Sequence, residues 1–290
     1  MTANVDDSPV VLITGAASGI GTVTAQAFAG RGWRVYATDV ATPLPEQIRD
    51  DCECLELDVT DGEQCERVVD RIVEDTGRLD VLVNNAGYAV PGPIEDVSVP
   101  DGRQQFDVLV HGAHTLCQAV LPTMRAAGRG RIINVSSVLG MASYPGIGTY
   151  CAAKAALESL MDALRIELHG TGVHVSLVEP AWVDTGFATS ARDKLPDGDR
   201  TPEYHATYAA LERGWVLEGG PLAARPEAVA ARIVEAATEP SPRARYPVGR
   251  FARFLRWTHV LPARVQDPLK RWFGRASIAL DRLYRSLPGN

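Results

Sequence analysis

The feature that most constrains the fold is a regular alternation between short apolar segments and longer segments with helical periodicity. Helical patterns cover residues 21–30, 63–76, 103–127 and 150–170. The apolar segments that separate them are PVVLITG (9–15), RVYATDV (34–40), LELDVTD (55–61), LDVLVNNAG (79–87), GRIINVSS (130–137) and GVHVSLVEP (172–180). Strands that alternate with helices in this way are typical of a parallel sheet.

The expected fold class is therefore α/β, with a single doubly wound parallel sheet, helices on both faces and a C-terminal helical extension. Several strands are apolar almost throughout, as expected when helices cover both faces. We place the sheet domain at residues 1–250, with ARYPVG (244–249) as a possible last strand. Residues 187–222 break the alternation and are expected to cross the carboxyl edge of the strands, where ligands bind in such folds.

Composition excludes several classes of protein. The chain is 46% hydrophobic and 22% charged, and its first residues lack the basic segment of a secretory signal. The 22 uncharged residues between Arg131 and Lys154 contain Gly, Pro and Asn, which argues against a transmembrane helix. The five cysteines lack the spacing of a zinc site or a disulfide framework. We expect a cytoplasmic protein without a metal.

The C-terminal segment differs from the rest in charge. Residues 241–290 contain 11 Lys/Arg and 2 acidic residues, which leaves a net charge of −16 on residues 1–240. Residues 251–290 form a basic amphipathic extension that could lie on an anionic membrane surface. The alternative, which we favour, is a helix that packs on the acidic body of the same chain or on a partner subunit. The acidic body also argues against nucleic-acid binding.

A glycine-rich turn follows the first strand. In VVLITGAASGIG, Gly15, Gly19 and Gly21 are spaced G-x3-G-x-G, with Ser18 and Ile20 between them. Glycines allow backbone to approach a pyrophosphate, and the start of the next helix supplies N–H groups and the positive end of its dipole. The alternative is a tight turn that binds no ligand.

Acidic residues end the second and third strands. Asp39 lies 18 residues beyond Gly21, where a carboxylate can accept hydrogen bonds from both ribose hydroxyls and repel a 2′-phosphate. The neighbouring positions supply no basic group for NADP, so NAD is the preferred cofactor. Asp58 could bind the adenine amino group or cap the next helix.

Tyr150 and Lys154 lie four residues apart in TYCAAKAALESL. Residues i and i+4 share one helical face, so the phenol and the amine point to the same pocket. A tyrosine with a pKa of about 10 is a poor base at neutral pH, but nearby positive charge favours the phenolate. The Lys154 cation and, in the oxidised complex, the nicotinamide ring would both supply such charge. Lowering the pKa of Tyr150 by roughly three units would require about 4 kcal/mol of stabilisation of the phenolate relative to the phenol.

Together these residues resemble the classical short-chain dehydrogenases/reductases. The shared motifs are T-G-x-x-x-G-I-G at Thr14–Gly21, N-N-A-G at Asn84–Gly87, a serine at Ser137, Y-x-x-x-K at Tyr150–Lys154 and a P-x-x-V-x-T-like turn at Pro180–Thr185. They follow one another in order between about Val10 and Phe187. The resemblance implies a single Rossmann domain that moves hydride between nicotinamide and an alcohol or carbonyl.

The resemblance also implies roles for individual residues. Tyr150 is the expected acid/base, Ser137 orients the substrate oxygen, and Lys154 tunes Tyr150 and holds the nicotinamide ribose. The expected cofactor contacts are Gly15, Ser18, Gly19, Ile20, Gly21, Asp39, Asp58, Val59, Asn85, Ala86, Gly87, Tyr150, Lys154, Pro180, Val183 and Thr185.

Two positions depart from the family pattern. Leu109 in FDVLVHG stands where the family has an asparagine that holds a water linked to the lysine, and leucine forms no side-chain hydrogen bond. His111 or His114 could reroute that relay, although helical phase favours ordinary surface or interface roles for them. Ala181, where glycine is common, is a smaller change. Loss of the relay leaves open a second function, a nucleotide-sensing or scaffold protein without turnover.

The expected substrate pocket is apolar, which suits a lipophilic secondary alcohol or ketone. Its candidate lining residues are Tyr88, Val90, Leu139, Met141, Tyr144, Trp182, Phe187 and Trp215. The layout resembles the hydroxysteroid and retinol dehydrogenase branch of the family, and steroid, retinoid and long-chain alcohol remain open. The family also implies a homodimer or homotetramer formed through helices 103–127 and 150–170.

Overall fold

A computed structural model describes residues 7–196, 198, 200–213, 215–249, 252 and 261–286. Its centre is a parallel sheet in the order β3-β2-β1-β4-β5-β6-β7. The strands are β1 Val10–Thr14, β2 Arg34–Asp39, β3 Glu53–Glu56, β4 Val81–Asn84, β5 Gly130–Val135, β6 Val173–Pro180 and β7 Arg245–Val248. This order confirms the doubly wound fold, and the tentative last strand is β7.

Helices follow the strands and cover both faces of the sheet. They are α1 Gly19–Ala29, α2 Glu46–Arg49, α3 Gly62–Thr76, α4 Val99–Phe106, α5 Ala113–Ala126, α6 Gly148–Glu167, α7 Phe187–Arg192, α8 His205–Arg213, α9 Pro226–Thr238 and the C-terminal helix Ala263–Arg285. Short 3₁₀ turns occur at Val138–Gly140, Pro202–Tyr204 and Gly220–Leu222. The expected domain boundary at residues 250 and 251 lies outside the described residues.

Alternate side chains of each strand enter different cores. Val10 and Leu12 of β1 pack in the cluster under α3, α5 and α6, whereas Val11 and Ile13 pack under α1 and α9. All four are at most 1% exposed. Since successive strand residues point to opposite faces, an apolar run without interruption is what two covered faces require. The two cores fix the sheet, and its carboxyl edge carries the site.

The helix expected over residues 103–127 is not regular. A π-helical turn, Asp107–Gly112, interrupts it between α4 and α5. A π turn accommodates one extra residue in a helix and is frequent at functional sites. At its end Gly112 lies against Val59, and a Cβ at this glycine would be 2.8 Å from Val59 Cγ2. The sequence pattern did not predict this turn, because the apolar residues keep a helical spacing through it.

The C-terminal helix packs on α8 and over the carboxyl edge of the sheet. Its Phe273 ring stacks on Trp182 with centroids 5.9 Å apart and meets Tyr144 edge-on at 6.0 Å. Trp272 is 67% exposed and Leu269 51% exposed, and both line the same cavity as Phe273. This part of the basic extension therefore packs on the body through Phe273, while Leu269 and Trp272 at the cavity remain open to solvent. No helix among the described residues is both long and apolar enough to span a membrane.

Candidate active site

The glycine-rich loop between β1 and α1 packs too tightly for side chains. Gly15 has φ +67°, and a Cβ there would be 2.7 Å from Ala86 Cα. A Cβ on Gly21 would be 2.0 Å from the carbonyl oxygen of Gly15, closer than any real contact. Gly19, with φ +54°, lies beside the Thr185 side chain. The loop therefore exposes backbone rather than side chains at the start of α1.

Two polar side chains, Asn85 and Thr14, connect this loop to the segment that follows β4. The Asn85 side-chain amide donates to the carbonyl oxygens of Thr14 at 2.9 Å and of Gly15 at 3.0 Å. The Thr14 hydroxyl oxygen accepts from the backbone N–H groups of Asn85 at 3.1 Å and Ala86 at 3.0 Å. Asn85, expected to contact the cofactor, is thus tied by its side chain to the loop itself. Thr14 was not among the predicted site residues, although it opens the glycine motif.

Asp39 reaches back to the glycine loop. Its carboxylate accepts from the backbone N–H of Ala17 at 3.0 Å and from that of Ala41 at 3.0 Å. Each carboxylate oxygen has further lone pairs for a hydroxyl donor. Asp58 accepts from the N–H and the hydroxyl of Thr60, whereas Asp61 caps α3. The helix-capping alternative for Asp58 therefore does not describe this structure.

Ser137, Tyr150 and Lys154 meet at the carboxyl end of β5. Ser137 follows β5, and its hydroxyl lies 3.4 Å from the carbonyl oxygen of Pro180, while Tyr150 and Lys154 lie on consecutive turns of α6. Lys154 Nζ donates to the carbonyl oxygen of Val135 at 2.7 Å and lies 5.7 Å from the centroid of the Tyr150 ring. All three side chains are more than 90% buried. The i and i+4 spacing brings phenol and amine to one pocket, as expected.

The electrostatics of the trio differ from the expectation. Burial raises the pKa of Tyr150 far above its usual value, and hydrogen bonding to Ser137 only partly opposes that rise. Burial also lowers the pKa of Lys154 to about 8, with the Glu158 carboxylate acting in the opposite direction. The predicted lowering of the Tyr150 pKa relied on charge from both Lys154 and a bound oxidised nicotinamide, and the pKa is raised in the protein alone. Desolvation penalises both charged forms, so the lysine cannot supply the missing stabilisation alone.

Glu158 connects the trio to the sheet. One turn after Lys154 on α6, it is 5% exposed and accepts from the Ser136 hydroxyl at 2.8 Å. Arg245 at the start of β7 forms ion pairs with Glu158, Asp162 and Glu179. This buried network anchors α6 to the strands beside it, and it was not predicted from the sequence.

Leu109 lies next to the trio, within the π turn. It is 2% exposed, and its Cδ2 atom would be 2.6 Å from a Cβ on Gly87. A cavity of about 10 Å³ remains between Leu109 and Lys154, with the side chains of Thr14 and Asn84 in its wall. That volume is close to the least space one water requires. His111 is exposed and His114 lies at the surface of α5, so neither reaches Lys154.

One large cavity, of about 1000 Å³, joins the glycine loop to the trio. It opens along the carboxyl edge of the sheet, as expected for a doubly wound fold. Every predicted site residue lines it except Gly21, which lies behind the loop against Gly15. The lining members are Gly15, Ser18, Gly19, Ile20, Asp39, Asp58, Val59, Asn85, Ala86, Gly87, Ser137, Tyr150, Lys154, Pro180, Val183 and Thr185.

The cavity continues past Tyr150 between apolar side chains. Of the residues predicted to line it, Tyr88, Leu139, Tyr144, Trp182 and Phe187 do so, whereas Val90, Met141 and Trp215 do not. Val90 is 6% exposed in the interior, and Trp215 packs on Gly220. The C-terminal helix supplies a wall that was not predicted from the sequence, made of Gln266, Leu269, Lys270, Trp272 and Phe273. Leu261, just before that helix, adds to the wall.

These features fit a nicotinamide dinucleotide. The side-chain-free loop offers backbone to a pyrophosphate, the Asp39 carboxylate lies at the end of β2, and the cavity extends from there to Tyr150.

Among the described residues no group of three or more His, Cys, Asp or Glu side chains is placed to hold a metal ion. All five cysteines are free thiols in the described structure.

Comparison with known proteins identifies a family and several similar enzymes. The sequence model of the short chain dehydrogenase family matches residues 9–196. The chain is 39% identical to a 3-ketodihydrosphingosine reductase of Bacteroides thetaiotaomicron over 61% of this chain and 65% of that protein. It is 35% identical to human 17-beta-hydroxysteroid dehydrogenase type 1 over 89% and 81%. It is 33% identical to an NADPH-dependent 3-dehydrocapnine reductase of Ornithobacterium rhinotracheale over 89% and 94%.

Solved structures agree with these matches. A short chain dehydrogenase/reductase of Burkholderia phymatum in complex with NAD superposes with a TM-score of 0.75 at 29% identity. The match covers 87% of this chain and 93% of that one. The family model covers more than half of the sequence, and its motifs meet at one cavity in the structure. The chain belongs to the short chain dehydrogenase family, and it is an oxidoreductase of that family.

Proposed function

We propose that this protein transfers hydride between a nicotinamide cofactor, NAD in preference to NADP, and a lipophilic secondary alcohol or ketone. One observation carries the proposal: a single cavity of about 1000 Å³ runs from the glycine loop past Ser137, Tyr150 and Lys154 and on between apolar side chains. A cofactor end, a proton-transfer group and an apolar substrate end are thus continuous, which hydride transfer to a lipophilic carbonyl requires.

The glycine loop and Asp39 would hold the adenosine and pyrophosphate, and Lys154, Val183 and Thr185 the nicotinamide end. When bound, the nicotinamide supplies the hydride donor or acceptor and, in its oxidised form, a positive charge. Asp39 favours NAD because its carboxylate accepts from hydroxyl donors and repels a 2′-phosphate. Its bond to the Ala17 N–H keeps it beside the loop.

In carbonyl reduction, Ser137 donates a hydrogen bond to the carbonyl oxygen and Tyr150 gives that oxygen its proton. The raised pKa of Tyr150 keeps the phenol protonated at neutral pH, which suits proton donation. In alcohol oxidation the same phenol oxygen accepts the proton, and this direction needs added positive charge beside Tyr150. Lys154 positions the pair through its bond to Val135.

The substrate class rests on the walls beyond Tyr150. Tyr144, Trp182, Phe187 and Phe273 surround that part of the cavity with aromatic surface. Relatives of this chain are named for a ketosphingoid substrate, 3-ketodihydrosphingosine, and for hydroxysteroids, both mainly apolar carbonyl or alcohol compounds. We propose a steroid, retinoid or long-chain alcohol or ketone, and an assembly as a homodimer or homotetramer, which light scattering would test.

A second function is supported by Leu109. If its side chain interrupts proton supply to Lys154, the protein binds dinucleotide without turnover and acts as a nucleotide sensor or scaffold. We prefer the enzyme because Ser137, Tyr150 and Lys154 lie together in one buried group. Their geometry is what proton transfer needs, whereas a sensor needs only the glycine loop.

The test is NADH or NADPH consumption and formation with a panel of steroid, retinoid and long-chain ketones and secondary alcohols. Tyr150→Phe should lower turnover by about 10²- to 10⁴-fold. Tyr36→Phe is the matched control, because it removes a fully buried phenol hydroxyl from β2, outside the cavity lining. Dinucleotide binding without turnover across the panel would favour the sensor. Equal activity of Tyr150→Phe and wild type would refute the proposed mechanism.

A further inference from the structure

The apolar end of the cavity contains a cation that the proposed mechanism does not use. Lys270, on the C-terminal helix, lines the cavity and is half-buried. The Tyr144 hydroxyl donates to the Lys270 carbonyl oxygen at 3.2 Å, which ties this turn of the helix to the aromatic wall. Apart from Lys154, Lys270 is the only Lys or Arg among the described residues that line the cavity.

The ammonium group of Lys270 lies close to the catalytic helix. Burial raises the pKa of the Cys151 thiol, and the charge of Lys270 is one of the influences that oppose this rise. Cys151 directly follows Tyr150 on α6. Lys270 and Tyr150 line the same cavity.

This cation has no acidic partner in the described part of the chain. Its Nζ donates to Gln266 Oε1 at 2.8 Å, a neutral acceptor one turn earlier on the same helix. The carboxylates that line the cavity are Asp39 at the end of β2 and Asp58 in the loop after β3, both at the proposed adenosine end. Lys270 thus offers an ammonium group to the cavity, and an ammonium group binds an oxyanion through charge-assisted hydrogen bonds.

We propose that Lys270, with Gln266 beside it, binds an anionic oxygen group carried by the substrate, so that the substrate is a lipophilic alcohol or ketone with a carboxylate or a similar oxyanion. The inference rests on the proposed function for its catalytic meaning and narrows the substrate class. The apolar chain lies among Tyr144, Trp182 and Phe273, and the anion lies at Lys270. Neutral steroids and simple alcohols lack the group that this cation recognises.

The experiment separates binding from turnover. Calorimetric titration of the full chain with decanoate and with decan-1-ol compares two ligands of equal chain length, of which one carries the oxyanion. Lys270→Met removes the ammonium and keeps the apolar stem. Arg271→Met is the matched control, because Arg271 is the next residue and is exposed on the outer side of the helix. In parallel, kcat/KM is measured for a long-chain oxo acid and its methyl ester.

Wild type and Arg271→Met are expected to bind decanoate at least about tenfold more tightly than decan-1-ol, and Lys270→Met is expected to lose that preference. Wild type and Arg271→Met should likewise have a higher kcat/KM for the oxo acid than for its methyl ester, and Lys270→Met should lose that difference. Equal affinity for both ligands in wild type, or an undiminished preference in Lys270→Met, overturns the inference. A preference in binding without turnover of any substrate would reject the proposed function and keep the anion site.

Discussion

Replacing Lys154 with methionine should change how stability depends on pH. The folded protein lowers the pKa of Lys154 from 10.5 to about 8, because burial penalises the charged amine. Below pH 8 the amine is charged in both the folded and unfolded states, so the full penalty is present. Between about pH 8 and 10.5 the unfolded chain binds the extra proton, so the free energy of unfolding rises with pH.

The magnitude follows from the size of the shift. Each pKa unit corresponds to about 1.4 kcal/mol, so a shift of this size costs the folded state roughly 3 kcal/mol at pH 7. Between pH 7 and pH 10 about 2 to 3 kcal/mol of that penalty is relieved. Methionine has a similar length and no titratable group. The stability of Lys154→Met relative to wild type should therefore be greatest at pH 7 and should fall by about 2 to 3 kcal/mol by pH 10.

Urea unfolding of both proteins at intervals between pH 7 and pH 10 gives this difference directly. Groups that titrate in this range without interacting with Lys154 cancel, since both proteins share them. Lys194→Met is the control, because this substitution makes the same chemical change at an exposed lysine outside the cavity lining. The free energy of unfolding of wild type minus that of Lys154→Met is expected to rise with pH. A difference that stays constant or falls would refute the assignment of a buried, destabilised ammonium to Lys154.

Four further substitutions test the site. Tyr150→Phe should lower turnover by about 10²- to 10⁴-fold while a fluorescence titration shows unchanged dinucleotide affinity. Asp39→Ser should reduce the NAD-to-NADP ratio of kcat/KM by about tenfold or more, and an unchanged ratio would contradict the role of its charge. Gly21→Ala should abolish dinucleotide binding in calorimetry, because its Cβ would lie 2.0 Å from a loop carbonyl oxygen, whereas Gly186→Ala, with open space around it, should bind normally. Leu109→Asn should lower the free energy of unfolding by about 1–3 kcal/mol in urea, because it buries an amide among apolar contacts, and unchanged stability would count against this packing.

The motifs that depend on local geometry could be read from the sequence. The glycine spacing, Asp39 at the end of β2, and the four-residue interval between Tyr150 and Lys154 each describe one strand end or one helical face. Backbone geometry fixes such relations within a few residues. The carboxyl ends of parallel strands share one edge, so the motifs had to converge once the sheet was predicted.

The features of the site that the sequence pattern did not predict depend on long-range packing. The pKa of Tyr150 follows from how completely it is buried, and burial is a property of all the elements around it. The π turn at Leu109 is invisible in apolar periodicity, which continues through it. Val90, Met141 and Trp215 have the same apolar character as the residues that do line the cavity. Composition alone cannot separate an interior contact from a cavity wall.

By itself the sequence determined the doubly wound sheet, the glycine-rich turn after β1 and the shared helical face of Tyr150 and Lys154, because each follows from short-range backbone geometry and strand order. The resemblance to the family added Ser137 to this predicted site. Only the tertiary structure decided what lies beyond Tyr150. Phe273 and Lys270 of the C-terminal helix reach the cavity more than a hundred residues after Tyr144, which bonds to the Lys270 carbonyl. An amphipathic pattern shows that a helix has an apolar face, but the surface that this face covers is set by the shape of the folded body.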